Sequence, residues 1–220
     1  MQVRIMIFSL IPLLLHAQDP AILTIGRLRY TGGDWYSNPS SLPNLLRFFR
    51  KKTGIEVEQR DVTVSLLDNS YKQVPILYFT GHGKLIFSTK EKENLRNYLK
   101  QGGFLFADDN FGLDKWIRKE LNTLFPGSRL VPLSWNHPLF KYPFSFEKTG
   151  PPKIHKHYGG APIAYGLFYE GRLVAFYLYN SDLGDGWEDP DIHGDPPSKR
   201  IAALKFGCNV LFYALHHGLL

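Results

Sequence analysis

The sequence predicts an α/β fold in which helices cover both faces of a mainly parallel sheet, as a three-layer sandwich. Short apolar runs, too brief for helices, alternate with longer segments whose apolar residues recur every three or four positions. Residues 75–112 give the clearest case, with a strand, a helix and a second strand in succession. Two further apolar runs, within residues 163–179, are joined by Glu170-Gly171 and predict an antiparallel hairpin.

The unit at residues 75–112 predicts where a ligand site would lie. Ser88 and Glu91 form a capping-box pattern, so the helix should begin near Thr89 and end at Gly102-Gly103. A parallel crossover brings both strand ends to one edge of the sheet. We therefore expect the loops 80–83 and 108–112 to face each other, where open α/β sheets bind ligands.

The other elements follow from the same patterns. Before this unit the sequence predicts a strand within residues 22–30, a helix from Pro43 to Lys52 and a strand region within 55–66. After it come a helix from about Asp114 to Phe125, a brief strand at 130–133, an irregular segment at 135–162, the hairpin, an acidic loop at 180–197 and a last helix at 198–216.

The amino terminus predicts export. Arg4 precedes an apolar run of 11 residues, and Ala17 supplies a small residue for cleavage, so we interpret residues 1–17 as a signal peptide and 18–220 as a single α/β domain. A membrane-spanning helix needs about 20 apolar residues. The predicted location is therefore periplasmic or secreted, with no membrane span in the mature chain.

Charge and cysteine content narrow the function classes. The formal charge is +6, and removal of residues 1–17 takes away only Arg4, which leaves +5. The basic residues form short scattered groups without interleaved aromatics, so nucleic-acid binding is not predicted. Cys208 is the single cysteine, and no internal disulfide can form.

Two acids and one histidine are the candidate catalytic residues. Asp108 and Asp109 end a buried strand, where two carboxylates could hold a divalent metal or divide acid and base roles. Neighbouring side chains on a strand point to opposite faces, so the alternative is that one of them caps a turn or helix. His82, between Gly81 and Gly83, could face Asp108 or bond a backbone carbonyl.

Loops elsewhere also carry potential ligands. Residues 181–191 contain five carboxylates, although their spacing is not that of an EF-hand. His155, His157 and His193 lie in flanking loops, and their spacings match no zinc pattern. Aromatic residues in predicted loops could form platforms for a glycan or peptide or pack as a lid: Trp35, Tyr36, Trp135 and Trp187.

Four loops, at residues 31–36, 80–84, 108–112 and 181–191, each follow a predicted strand. If those strands are parallel, the four loops should converge on one crevice. The predicted ligand-binding residues are Asp34, Gly81, His82, Gly83, Asp108, Asp109, Asn110 and Asp182. The alternative for Asp182 is that its loop swings away, because the strand before it belongs to the hairpin and could run antiparallel.

Three segments together resemble a known family. They are Tyr78-Phe-Thr-Gly-His-Gly83, the stretch from Leu95 to Asp109, and the acidic Ser181-Asp-Leu loop before the final helix. The chain is similar in these segments to the bacterial family called domain of unknown function 4159. That resemblance implies a flavodoxin-like fold of the class I glutamine amidotransferase type and no established activity. The turn that carries the amidotransferase cysteine corresponds here to Asp108–Gly112, so the nucleophile is missing.

The sequence thus predicts a non-catalytic ligand-binding or assembly module of the bacterial envelope, with a glycan or peptide ligand and envelope protein partners. The alternative is a hydrolase that uses Asp108 or Asp109 with His82. No organic cofactor is predicted, and a divalent metal ion would fit the carboxylates.

Overall fold

A computed structural model describes residues 22–216. Its main feature is a seven-stranded sheet with the order β3-β1-β4-β6-β9-β8-β7. The strands are β1 (Ile25–Arg29), β3 (Val62–Ser65), β4 (Ile76–Phe79), β6 (Phe104–Asp108), β7 (Val131–Pro132), β8 (Ile163–Tyr169) and β9 (Arg172–Tyr179). The helices are α1 (Ser41–Thr53), α2 (Thr89–Lys100), α3 (Asp114–Leu121), α4 (Pro190–His193) and α5 (Pro197–His216). The mainly parallel α/β sheet is therefore confirmed.

The predicted hairpin is also confirmed, and its second strand has the orientation that matters for the site. β8 and β9 are antiparallel, whereas β9 pairs with β6 in parallel. The carboxyl end of β9 therefore lies at the same edge as those of β1, β4 and β6. The acidic loop leaves the sheet beside the other candidate loops.

Alternating strand residues face two separate apolar cores. Ile76 and Tyr78 pack into one core with α1 and α5, and Leu77 and Phe79 pack into the other with α2 and α3. Helices thus cover both faces, as the three-layer prediction requires. The apolar strand runs are continuous because both faces of the central strands are buried.

A second, two-stranded sheet was not predicted. β2 (Thr31–Gly33) and β5 (Gly83–Ile86) pair antiparallel, in stretches that the sequence predicts as loops. The sequence does not predict these two strands, because they contain Gly, which is depleted in ordinary strands. We call this pair the glycine ribbon. The predicted signal peptide lies outside the described residues, and no helix within residues 22–216 is long and apolar enough to cross a membrane.

Candidate metal centre at the carboxyl edge of the sheet

The loops that follow β1, β4, β6 and β9 form what we call the carboxyl edge, residues 30–38, 80–83, 109–113 and 180–195. The loops after β1 and β4 are tied together, since the Tyr30 hydroxyl donates to the Thr80 carbonyl oxygen over 3.0 Å. Strand order reverses between β1 and β4, and such a reversal opens a crevice above the sheet. The fold therefore places the candidate residues where α/β sheets commonly bind ligands.

Asp34 and His82 form a pair at this crevice. The Asp34 carboxylate accepts a hydrogen bond from the His82 backbone N–H and lies 2.9 Å from the His82 Nδ1 atom. Gly81 makes this approach possible: its φ of 137° is a left-handed value, and a Cβ there would lie 2.6 Å from the Asp34 Oδ1 atom. His82 thus pairs with Asp34, whereas the sequence offered Asp108 or a backbone carbonyl as its partner.

Asp108 holds the acidic loop against the sheet. Its side chain is fully buried, and its carboxylate accepts hydrogen bonds from the backbone N–H groups of Leu183 (3.3 Å) and Gly184 (2.7 Å). Burial first of all, together with the neighbouring Asp185, raises its pKa to about 7 against the lowering effect of those two donors. Asp108 therefore anchors the loop, which does not swing away.

Asp109 and Asn110 carry unused acceptors. Asp109 Oδ1 accepts from the Leu113 N–H over 2.9 Å and so caps the turn that leads into α3, as one reading of the sequence proposed. Its Oδ2 atom is buried without a hydrogen-bond partner, and the same is true of Asn110 Oδ1. Burial raises the pKa of Asp109 to about 6.

Asp182 is the most unusual acid of the edge. It has a left-handed φ of 56°, which an L-residue adopts at a cost, and its side chain is 3% exposed. Burial raises its pKa to about 9, with further repulsion from Asp108, Asp185 and Asp109. The structure therefore concentrates acidic groups in a place where water cannot screen their charges when they ionise.

Three histidines converge on this acid and its neighbour. The irregular segment 152–161 runs beside the acidic loop, since the Ile154 N–H donates to the Ser181 carbonyl oxygen over 2.9 Å. His155 Nδ1 consequently lies 3.4 Å from Asp182 Oδ2 and 3.0 Å from Asp185 Oδ2. His157 Nε2 lies 2.6 Å from Asp182 Oδ2, without the alignment of a hydrogen bond.

Two sets of possible ligand atoms share His155. The first set is His155, His157 and Asp182, and the second is His155, Asp185 and His193. Within each set the atoms lie within 4.8 Å of one another. His155 faces both acids with Nδ1, and one nitrogen lone pair can bind only one ion. The two sets therefore describe one centre. His193 is peripheral, because its Nε2 atom lies 3.3 Å from Glu188 and 3.8 Å from Asp185.

The separations fit a transition metal ion. Ligands bound tetrahedrally at about 2.0–2.1 Å are separated by about 3.3 Å. The contacts of His155 Nδ1 with the two acids, at 3.4 and 3.0 Å, match that value, and the contact at 2.6 Å needs only a small outward shift. Two imidazoles and a carboxylate form a common catalytic ligand set for zinc or ferrous iron, whereas Ca²⁺ and Mg²⁺ prefer oxygen alone.

Asp195 orients the shared histidine. His155 Nε2 makes a hydrogen bond of 3.2 Å with Asp195 Oδ2, so the proton belongs on Nε2 and the Nδ1 lone pair is free for an ion. A carboxylate behind a histidine in this way is the usual support of a metal ligand. Asn38 similarly holds Asp185, to which its Nδ2 donates over 2.6 Å.

Buried oxygens without hydrogen-bond partners concentrate at this edge. Among the described residues, eight buried side-chain oxygens lack such a partner, and seven of them lie in or next to its loops. The seven belong to Ser37, Tyr78, Thr80, Asp109, Asn110, Asn180 and Asp182, of which the Tyr78 and Thr80 hydroxyls lie within reach of each other. Native proteins leave few such groups, and clusters of them mark places where an ion or ligand supplies the contacts.

The comparison with protein families agrees with the resemblance seen in the sequence. A family model described as domain of unknown function (DUF4159) matches residues 24–215. The chain belongs to this family. A search of the curated proteins found no match. The matched range of this DUF4159 domain contains every residue of the carboxyl edge and all three histidines.

Sequence reasoning found part of this site. The structure places the loops that carry the acids and His82 at one edge of the sheet, as the ends of parallel strands predict. The sequence did not predict the approach of His155, His157 and His193 to the acids, since these histidines lie outside the regular patterns and the fold alone brings them together. The His-x-His spacing followed by an acidic loop was the available signal.

A surface cleft of 740 Å³ along α1 and residues 57–61 includes Asp189 but none of these histidines.

Proposed function

We propose that this DUF4159 domain binds one divalent transition metal ion through three ligands, His155, His157 and Asp182, with Asp185 beside them. The observation that carries the proposal is the convergence of two imidazoles on a buried carboxylate oxygen that has no hydrogen-bond partner. A chain that only needed ion pairs would align its donors with that oxygen.

Electrostatics support a cation at this position. Asp108, Asp109 and Asp185 each raise the pKa of Asp182 by repulsion, and Lys153 is the nearby cation that opposes them there. The Lys153 ammonium also donates to backbone carbonyls of Tyr158 and Gly160, so its charge is shared. A bound divalent ion would offset the repulsion among these acids that is present in the metal-free protein.

The test is direct titration of chelator-treated protein with Zn²⁺, Mn²⁺, Ni²⁺ and Ca²⁺ by calorimetry, with a parallel melting curve. We expect one ion per chain and a preference for Zn²⁺ or another imidazole-binding metal over Ca²⁺. At a free-metal concentration of 100 times Kd, the linked stabilisation is about 2.7 kcal/mol, which raises the Tm of a chain of this size by roughly 5–10 °C.

Variants locate the ion. His157→Ala and Asp182→Asn should each abolish saturable binding at micromolar metal, whereas Asp191→Asn should bind as the wild type does. Asp191 is the matched control, because it is an exposed acid of the same loop region. If the wild-type chain binds no transition metal, or if Asp182→Asn binds it unchanged, the histidines are ion-pair partners only and the proposal fails.

Two further proposals concern the architecture and the setting. Counted by their order along the chain, the five parallel strands have the spatial order 2-1-3-4-5, which supports a flavodoxin-like fold. Cys208 lies buried in α5, and burial raises its pKa to about 12, which supports the reading that this thiol is not a nucleophile. The apolar segment before Ala17 supports an exported module of the bacterial envelope.

Hydrolysis is the second candidate function. Three protein ligands leave positions open on an ion, as in catalytic zinc sites. Of the two strand-end acids, Asp108 is occupied by two backbone donors, so Asp109, with its free Oδ2 atom, is the better candidate.

A further inference from the structure

We propose that the Asp34–His82 pair is the proton-transfer group of a hydrolytic site centred on the metal ion, and that the site cleaves uncharged amide or ester bonds. This inference rests on the proposed metal centre. It adds an activity, a catalytic residue and a substrate class to it.

The pair has the geometry of an oriented general base. One carboxylate, that of Asp34, holds both the backbone N–H and the Nδ1 atom of His82. The contact at 2.9 Å assigns the ring proton to Nδ1 and leaves the Nε2 lone pair free. The His82 side chain is 49% exposed, so a substrate can reach Nε2. This is how an acid orients the histidine of a catalytic dyad.

Phe111 connects the pair to the metal ligands. Its backbone forms a parallel bridge with that of His82, and its ring centroid lies 4.8 Å from that of His157. His82 and the ligand His157 therefore flank the same residue. A positive charge on His82 acts on both Asp109 and His157, which places its ring within electrostatic range of the centre.

The surroundings select the substrate. Besides the proposed ligand Asp182, two further buried acids, Asp108 and Asp109, lie at this edge, so a phosphate or carboxylate group beside them would meet groups of like charge. Phe111 is 45% exposed and stacks on Tyr158, at 5.3 Å between ring centroids. An exposed aromatic face beside the ion would hold an apolar or sugar-ring neighbour of the scissile bond. The substrate class is therefore a neutral acyl compound.

The proposed step balances with water as the only co-reactant. The water oxygen forms a bond to the carbonyl carbon while His82 Nε2 takes one water proton. The carbon–nitrogen or carbon–oxygen bond then breaks, and the same Nε2 returns the proton to the leaving nitrogen or oxygen. The products are a carboxylic acid and an amine or alcohol, and nothing is oxidised or reduced.

The experiment compares the full chain, loaded with one equivalent of Zn²⁺, on 4-nitrophenyl acetate, 4-nitroacetanilide and 4-nitrophenyl phosphate. We expect metal-dependent turnover of the acetate ester or the anilide and none of the phosphate. His82→Gln should lower kcat by about 10² or more and leave the Zn²⁺ affinity unchanged. Asp34→Asn should lower kcat with KM unchanged, because Asp34 positions the ring without touching substrate.

His216→Gln is the matched control, since its ring stacks on Phe212 at the end of α5 and it should retain full activity. Zinc binding without acyl hydrolysis, or His82→Gln with wild-type kcat, would overturn this inference and leave the metal site intact. Faster cleavage of the phosphate would overturn the substrate class. Failure to bind zinc at all would remove the metal centre and this inference with it.

Discussion

At the scale of single residues, Asp195 is the side chain that would orient the proposed ligand His155 without touching the ion. It lies on the Nε2 side of the His155 ring, away from Asp182 and Asp185, and its side chain is 7% exposed. Lys199 lies 3.9 Å from its other oxygen, so the carboxylate is held between a cation and the imidazole. The arrangement fixes both the tautomer and the direction of the ligand nitrogen.

We therefore expect Asp195→Asn to weaken Zn²⁺ affinity by about 10- to 100-fold, because an amide can leave the proton on the wrong ring nitrogen. Competition with a chromophoric chelator measures the change. Asp191→Asn is the comparison variant, with the same loss of one charge from the same segment of the chain. Equal affinity in the two variants would show that His155 needs no orientation by Asp195.

At the scale of elements, the sequence predicts regular structure better than the site. The capping box at Ser88 and Glu91 is present, with both reciprocal hydrogen bonds, and α2 begins at Thr89 as expected. Such signals are local, so one sequence carries them. The glycine ribbon and the histidine cluster depend on contacts between segments far apart in the chain. His155 and Asp182 are 27 positions apart, and no local pattern encodes their meeting.

The glycine ribbon is the element that sets Asp34 opposite His82, and Gly33 is its tightest point. Gly33 pairs with Gly83, and a Cβ on Gly33 would lie 2.2 Å from the His82 carbonyl oxygen. Backbone cannot yield to such a contact, so Gly33→Ala should open the ribbon. We expect a loss of about 1–3 kcal/mol in the free energy of unfolding.

The same variant should lose most of its hydrolytic kcat while it keeps its Zn²⁺ affinity, since the ribbon carries no metal ligand. Urea denaturation, calorimetry and turnover of the acetate ester measure the three quantities. Gly159→Ala is the control, because a Cβ there meets no atom within 4 Å. Unchanged stability and turnover in Gly33→Ala would refute the role given to the ribbon.

At the scale of the whole molecule, a basic chain surrounds an acidic interior edge. The formal charge is +6, yet buried carboxylates collect where the parallel strands end. Each of Asp108, Asp109 and Asp182 has its pKa raised, first of all by burial. The fold tolerates these acids at a cost that grows as they ionise, and the proposed ion would offset that cost.

The last prediction follows from the sign of that cost. Asp109 has a pKa of about 6 in the folded chain against an ordinary value of 3.8, so the folded state binds more protons between those values. Stability must then fall as pH rises through that interval and level off above it.

Asp109→Asn removes this contribution and keeps an oxygen that can accept from the Leu113 N–H. We expect the metal-free wild type to lose on the order of 1–3 kcal/mol relative to Asp109→Asn between pH 4.5 and pH 7.5. Urea denaturation of both chains at the two pH values measures the difference. Titrating groups remote from Asp109 cancel because both chains share them, whereas Asp108 and Asp182, whose pKa values Asp109 raises, add to the loss in the wild type. A wild type that instead gains stability over Asp109→Asn as the pH rises would show that Asp109 is stabilised as the carboxylate, and that the edge repels negative charge less than its geometry implies.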